Sequence, residues 1–107
     1  MNTIKVVTFN ARCVYFDKTG ESDGVRSFIF RAGYIYDKIQ NENPDIILFQ
    51  EFFKEHLDIM KKLLCEYEFF GHFRGEDFSG EGVYTAVKRE KFQILGIDSY
   101  WLSPTPY

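Results

Sequence analysis

The chain opens with a short apolar run and then alternates stretches of helical periodicity with further short runs. Ile4–Phe9 is rich in β-branched and aromatic residues and predicts a strand. We expect the helix that follows to end at Asn43-Pro44, because proline disfavours helical backbone at the preceding residue. The apolar residues of that helix recur at the spacing of one helix face, at Phe28, Ala32, Ile35 and Ile39.

The middle of the chain places a buried strand before another helix. Ile46–Phe49 is a continuous apolar run, too short for a typical helix, and predicts a central strand covered on both faces. A second amphipathic helix is predicted by the spacing of Phe53, Leu57, Met60 and Leu64. Further strands are predicted over Tyr67–Gly71, Gly82–Lys88 and Phe92–Leu102.

Two polar residues follow the first two predicted strands. Asn10 comes directly after Ile4–Phe9, and Glu51 follows Ile46–Phe49 with only Gln50 between them. A strand-helix-strand unit usually makes its strands parallel, with a right-handed crossover. The carboxyl ends of both strands then share one edge of the sheet, so we expect Asn10 and Glu51 to project into the same crevice.

The carboxylate of Glu51 is a candidate metal ligand. It leaves a buried strand, where an anion needs a charged partner, and Mg²⁺ commonly binds one or two carboxylates together with waters and substrate phosphate. Asn10 is neutral, so it would donate a hydrogen bond to a phosphate or accept one from a metal-bound water. The pattern leaves a structural alternative open, in which Asn10 caps a turn and Glu51 opens the second helix at its positive dipole end.

Composition and charge narrow the class of protein. A length of 107 residues argues for one domain or a piece of one. The formal net charge of -3 disfavours binding of nucleic acid mainly through overall charge. Cys13 and Cys65 lack the spacing of a disulfide framework or a zinc site. We expect a cytoplasmic location, because the N-terminus lacks the pattern of a signal peptide, and no membrane span, because no apolar run is long enough.

Several short motifs occur in the order found in one enzyme superfamily. The most specific is Pro44–Glu51 (PDIILFQE), which joins a buried strand to a glutamine-glutamate pair. This motif and the others together resemble the opening motifs of the endonuclease/exonuclease/phosphatase superfamily, the DNase I-like metal-dependent phosphoesterases. The other motifs are Thr8-Phe9-Asn10, a stretch from Asp23-Gly24 through Ser27-Phe28 to Arg31, then Phe70-Gly71, Arg74, Gly80-Glu81, Phe92 and Tyr100–Pro106.

The resemblance implies an α+β fold that is part of a four-layer α/β/β/α sandwich, with a mixed β-sheet carrying helices on one face. Residues 1–107 would form the N-terminal part of a single domain and would be truncated. The implied activity is hydrolysis of a phosphate ester with Mg²⁺ or Mn²⁺, on nucleic acid, a phospholipid head group or a small phosphoester. The catalytic histidine, Asp-x-Asn pair and Ser-Asp-His motif of the superfamily belong to the missing C-terminal half, so the fragment alone is expected to be inactive.

The same resemblance assigns roles to residues of this chain. Glu51 is the metal ligand, Asn10 orients phosphate or a metal-bound water, and Arg74 contacts a substrate phosphate through its forked guanidinium. His56 and His72 match no histidine motif of the superfamily and are interpreted as surface or packing residues. Two other interpretations stay open, a non-catalytic remnant that pairs with a complementary segment and an unrelated small α/β binding domain. The last of these predicts that the Asn10 and Glu51 side chains point apart.

Overall fold

The described strands form one mixed sheet. The computed structural model describes residues 3–11, 28–75, 80–100 and 102–104, apart from the side chains of residues 28–30. The strands lie side by side in the order β1-β2-β4-β3, and none of the described helices is long and apolar enough to cross a membrane. In chain order the elements are β1 (Val6–Asn10), α1 (Phe28–Glu42), β2 (Ile46–Phe52), α2 (Lys54–Leu63), β3 (Tyr67–Phe73) and β4 (Gly82–Lys88).

Strands β1 and β2 are parallel, as the strand-helix-strand pattern predicts. Their register runs from Val6 opposite Ile46 to Asn10 opposite Gln50. β2 also pairs antiparallel with β4, so it is interior to the sheet as predicted, and β4 pairs antiparallel with β3. The carboxyl ends of β1 and β2 therefore meet at one end of the sheet. We call this end, formed by Asn10, Gln50 and Glu51, the open end.

The apolar core lies between the helices and one face of the sheet. Ile47 and Phe49 are fully buried, and their alternate positions along β2 direct both side chains to this face. The Phe49 ring stacks on Phe52 at a centroid distance of 4.5 Å and on Phe69 at 5.9 Å. The mixed sheet with helices on one face, which the resemblance implies, is thus confirmed. The helices contribute Ile35, Ile39, Met60 and the adjoining Leu64 to the same core.

The other face of the sheet is less covered. Leu48 lies between Ile47 and Phe49 but is 36% exposed, and Val83 on β4 is 64% exposed. The prediction that Ile46–Phe49 is covered on both faces is therefore wrong for the face that carries Leu48. The cause is that both described helices contribute their buried residues to the opposite face.

Residues 92–100 do not form a strand, so the prediction of a strand over Phe92–Leu102 is wrong. Leu95 is 89% exposed and Tyr100 is 83% exposed. A strand is stable only when its backbone groups find partners on a neighbouring strand. Within the described ranges the sheet ends at β1 and β3, and no strand pairs with this segment. The composition of the segment favours a strand, but the lack of a neighbour decides the outcome.

At the opposite end of the sheet, each carboxylate oxygen of Asp45 accepts a hydrogen bond. It is 5% exposed and accepts hydrogen bonds from Lys91 Nζ at 2.7 Å and from the backbone N–H of Lys5 at 2.8 Å. These two hydrogen bonds, of which the one from Lys91 has the larger effect, lower the pKa of Asp45 from its ordinary value. We call this end of the sheet, formed by Lys5, Asp45 and Tyr67, the closed end.

Tyr67, the first residue of β3, lies at the same end of the sheet. Its hydroxyl donates to the buried Pro44 carbonyl at 2.5 Å, and burial, with the nearby negative charges of Glu66 and Asp45, raises the pKa of Tyr67 to about 12. Helix α1 ends at Glu42 as predicted, and Asn43 beyond it has a φ of 49°. Asparagine tolerates this left-handed conformation.

Candidate active site

The open end of the sheet brings together the two residues that the sequence singles out. Asn10 is the last residue of β1, and Glu51 is the penultimate residue of β2. Asn10 Nδ2 donates a hydrogen bond to Glu51 Oε1 at 3.2 Å. The expectation that both side chains enter one crevice is confirmed. The alternative of an unrelated domain, which predicts side chains that point apart, does not match this geometry.

Glu51 occupies a backbone conformation that glutamate rarely adopts. Its φ is 52°, in the left-handed region that costs residues with a Cβ about 1–2 kcal/mol. The pairing of β2 with β4 is irregular between Phe49 and Phe52, where the register shifts. A bulge of this kind re-aims side chains and is common beside active sites. Because strain persists only where the surrounding structure holds it, the outlier supports a functional role for Glu51.

Glu51 does not open the second helix, which was the structural alternative. Helix α2 begins at Lys54, with Phe53 as its N-cap. The backbone N–H of Phe53 donates to His56 Nδ1 at 2.8 Å, and His56 is fully buried. The interpretation of His56 as a packing residue is therefore confirmed, since its ring also stacks on Phe52 at a centroid distance of 5.6 Å.

Gln50 ties the two strand ends together, a role that the sequence analysis did not assign. Its Nε2 donates to Thr8 Oγ1 at 2.9 Å and to the Leu48 carbonyl at 2.9 Å. The backbone carbonyl of Gln50 accepts a hydrogen bond from the backbone N–H of Ala11 at 2.8 Å. Arg31 Nη1 donates to the Ala11 carbonyl at 3.0 Å, which anchors helix α1 to the same point. These bonds fix the position of Asn10 relative to Glu51.

A cleft of about 880 Å³ lies over the open end and the less covered face of the sheet. Arg74, predicted to contact substrate phosphate, lines this cleft with Asn10 and Glu51. Arg74 Nη2 donates to Glu81 Oε1 at 2.9 Å. The polar lining includes the amides of Asn10 and Gln50, the guanidinium of Arg74, and the carboxylates of Glu51, Glu81 and Asp98. The segment 96–100 forms one border, and Phe70, Val83 and Thr85 contribute to the lining.

His72 also lines the cleft, whereas its sequence context predicts only a surface or packing residue. It is exposed, and its Nδ1 lies 2.7 Å from the Phe73 carbonyl. The alternation of side chains along β3 predicts this position of His72 from the sequence. Phe69 and Phe73 face the helices, so His72 faces the opposite side with Phe70.

The donors at the open end fit a hard cation held by few protein ligands. Within the described part of the chain, no three His, Cys, Asp or Glu side chains form a group able to hold a metal. Mg²⁺ does not need such a group, since it commonly keeps several waters and binds through one or two carboxylates. The Glu51 carboxylate beside the Asn10 amide matches this requirement, and the ligand role of Glu51 stays a prediction.

Some predicted motif residues lie outside the described ranges. They are Asp23-Gly24, Ser27, Trp101 and Thr105-Pro106, together with Cys13. Cys65 is a free, exposed thiol.

Comparison with known proteins identifies the fold. No family model matches the chain. An endonuclease/exonuclease/phosphatase family protein from Bacteroides thetaiotaomicron has a solved structure that is 29% identical in sequence, with a TM-score of 0.82. The alignment covers 96% of this chain and 37% of that chain. The chain has the endonuclease/exonuclease/phosphatase fold.

Other proteins are similar to this chain over nearly its whole length. Bacteroides thetaiotaomicron mannosyl-6-phosphatase is 28% identical, with a TM-score of 0.82, over 96% of this chain and 38% of that chain. The 2′,3′-cyclic phosphatase ANGEL2 is 18% identical, with a TM-score of 0.68, over 87% of this chain and 29% of that chain.

Among curated proteins, an uncharacterized protein of Acanthamoeba polyphaga mimivirus is 28% identical over 119 residues, which cover 96% of this chain and 17% of that protein. The chain thus spans 38% or less of the length of each of these solved structures. The endonuclease/exonuclease/phosphatase resemblance predicted from the motifs is confirmed at the level of the fold.

Proposed function

We propose that this chain is part of a metal-dependent hydrolase of phosphate esters and carries one side of its active site. The observation that carries the proposal is the contact of 3.2 Å between Asn10 and Glu51, with Glu51 in a strained conformation at the mouth of a cleft. A strained, negatively charged residue at the end of a central strand is costly to maintain without a function.

Each residue has a distinct role in this proposal. Glu51 holds a hard divalent cation, Mg²⁺ or Mn²⁺, through its carboxylate. Asn10 fixes the orientation of that carboxylate and donates to a phosphate oxygen or accepts from a bound water. Arg74 binds a phosphate oxygen from the other side of the cleft, because its planar fork matches phosphate geometry. When bound, the cation would polarise the phosphoryl oxygen and neutralise negative charge.

The names of the similar proteins support a phosphate ester as the substrate class. One is a mannosyl-6-phosphatase and another is a 2′,3′-cyclic phosphatase. Both names describe enzymes that act on phosphate esters, and in this chain the Arg74 guanidinium and the Glu51 carboxylate line one cleft. We propose the same class here, without choosing among a nucleotide, a phospholipid head group and a sugar phosphate.

The remaining catalytic groups are proposed to come from polypeptide outside these 107 residues. The chain spans 38% of the mannosyl-6-phosphatase, and His56, one of its two histidines, is buried in the core. In this proposal residues 1–107 are the N-terminal part of one domain, and they bind metal and phosphate without rapid turnover. The same coverage favours a second candidate function, a non-catalytic remnant that keeps only the fold.

The test combines binding and turnover of phenyl phosphate by the purified chain with added Mg²⁺ or Mn²⁺. Phenyl sulfate is the matched control, because it has the same shape and a lower charge. We expect metal-dependent binding of phenyl phosphate that Glu51→Ala abolishes, with little or no hydrolysis. Hydrolysis abolished by Glu51→Ala would make the chain itself an enzyme. Absence of both metal affinity and phosphate ester binding would contradict the proposal and support the remnant.

A further inference from the structure

Arg74 and Glu81 face each other where the pairing of β3 and β4 ends. Arg74 Nη2 donates to Glu81 Oε1 at 2.9 Å. The backbone N–H of Arg74 also donates to the Glu81 carbonyl at 2.9 Å. Both residues line the cleft that contains Asn10 and Glu51. The ion pair is therefore part of the wall of the candidate site.

Both neighbours of Glu81 are glycines, and both positions favour a residue without a Cβ. Gly80 has a φ of 75°, in a region that residues with a Cβ avoid. A Cβ added to Gly82 would lie 2.3 Å from the His72 carbonyl oxygen, so the chain passes too close to β3 for a side chain. The close approach of the backbones at Gly82 and the backbone hydrogen bond from Arg74 to Glu81 hold these two residues beside each other.

Folding stability does not account for this ion pair. The side chains of Arg74 and Glu81 are 71% and 36% exposed, and exposed ion pairs contribute little to stability. Arginine has substantial rotamer entropy, which is lost when its guanidinium is fixed. The guanidinium also carries five N–H donors, so a bond from Nη2 to a carboxylate is compatible with a phosphate oxygen on the same fork.

We propose that Glu81 is a positioning residue that holds the guanidinium of Arg74 in the cleft, oriented for a substrate phosphate. The inference rests on the proposed function, because it takes Arg74 as the phosphate contact. Orienting the side chain in the free protein removes part of the entropy cost of binding. The negative charge of Glu81 opposes an incoming phosphate, whereas its acceptor oxygen positions Arg74. Glu81→Gln keeps an acceptor oxygen and removes the charge, so it separates these two effects.

The experiment is a titration of the full 107-residue chain with inorganic phosphate in the presence of Mg²⁺, followed by ¹H–¹⁵N spectra that include Arg74 Nε. We expect Glu81→Ala to weaken phosphate binding by about three- to tenfold, the range for one side chain immobilised on binding. Glu81→Gln should bind phosphate at least as tightly as the parent chain. The ¹⁵N relaxation of Arg74 Nε should show a more mobile side chain in Glu81→Ala and the parent behaviour in Glu81→Gln.

A matched control is Asp58→Ala, which breaks the exposed Lys54–Asp58 ion pair of 2.6 Å on α2, and it should leave phosphate affinity unchanged. If Glu81→Ala binds phosphate as tightly as the parent or more tightly while Arg74→Ala weakens binding, the positioning role is overturned and the proposed function stands. Equal weakening in Glu81→Ala and Glu81→Gln also overturns it. If Arg74→Ala leaves phosphate affinity unchanged, or if the parent chain binds no phosphate, Arg74 does not contact phosphate. Both the proposed role of Arg74 and this inference are then overturned.

Discussion

The two ends of β2 each carry a carboxylate, and the protein treats them in opposite ways. Asp45, just before the strand, is 5% exposed and accepts from Lys91 Nζ and from the Lys5 backbone. Glu51, near the other end, lines a cleft and accepts from the neutral Asn10 amide. The closed end pairs its buried anion with a lysine, whereas the open end places its anion at a cleft, in contact with the Asn10 amide.

The two ends also differ in backbone strain, which is greater at the open end. Asn43 and Glu51 have φ values of 49° and 52°. At the closed end the left-handed residue is asparagine, which tolerates this region, and its side chain accepts a hydrogen bond from Lys88. At the open end it is glutamate, for which the same conformation is strained. The comparison indicates that the closed end is built for stability and that stability is given up at the open end.

The largest expected effect is a loss of stability from a substitution that breaks the closed end. Tyr67→Phe removes the donor to the buried Pro44 carbonyl, and an unsatisfied buried acceptor costs about 1–3 kcal/mol. We expect the free energy of unfolding, measured by urea denaturation, to fall by about that amount. Tyr34→Phe is the matched control, because Tyr34 is 77% exposed, and it should change stability little. An unchanged Tyr67→Phe variant would contradict the structural role of the closed end.

The next effect has the opposite sign and lies at the open end. Glu51→Gly should raise the free energy of unfolding by about 0.5–1 kcal/mol, because relief of about 1–2 kcal/mol of left-handed strain exceeds the greater chain entropy of glycine. The same variant should lose Mn²⁺ binding. Asn43→Gly, the control at the closed end, should not stabilise the protein, since asparagine tolerates the conformation and its bond from Lys88 is lost. Destabilisation by Glu51→Gly would argue that Glu51 is structural.

A smaller effect is expected from acid at the closed end. The folded pKa of Asp45 lies below its ordinary value, so its contribution to stability is present above the unfolded pKa and is lost as pH falls through the folded pKa. The stability difference between the parent chain and Asp45→Asn should be constant near neutral pH and shrink below about pH 4. The effect is modest because Lys91 is 52% exposed and salt screens the pair. A difference that persists unchanged in acid would show that charge is not the cause.

The sequence predicts the part of the fold that depends on local pattern. The apolar run before Gln50-Glu51 identifies β2, and parallel pairing with β1 follows from the helix between them, which brings Asn10 and Glu51 together. The left-handed conformation of Glu51 is not encoded by residue type, because glutamate is disfavoured there and tertiary contacts impose it. Non-local pairing also decides that Glu81 meets Arg74. The same dependence explains why Phe92–Leu102, although rich in strand-forming residues, has no strand in its described part.

The most direct test of the account locates a divalent cation at the open end. Substoichiometric Mn²⁺ broadens the ¹H–¹⁵N signals of residues near a bound ion, and we predict that the signals of Asn10, Gln50 and Glu51 broaden first. Glu51→Gln, which keeps the shape and removes the charge, should abolish that broadening, whereas Asp58→Asn on the surface of α2 should not. Broadening that persists in Glu51→Gln, or that centres on residues away from Asn10 and Glu51, would contradict the assignment of Glu51 as the metal-binding carboxylate.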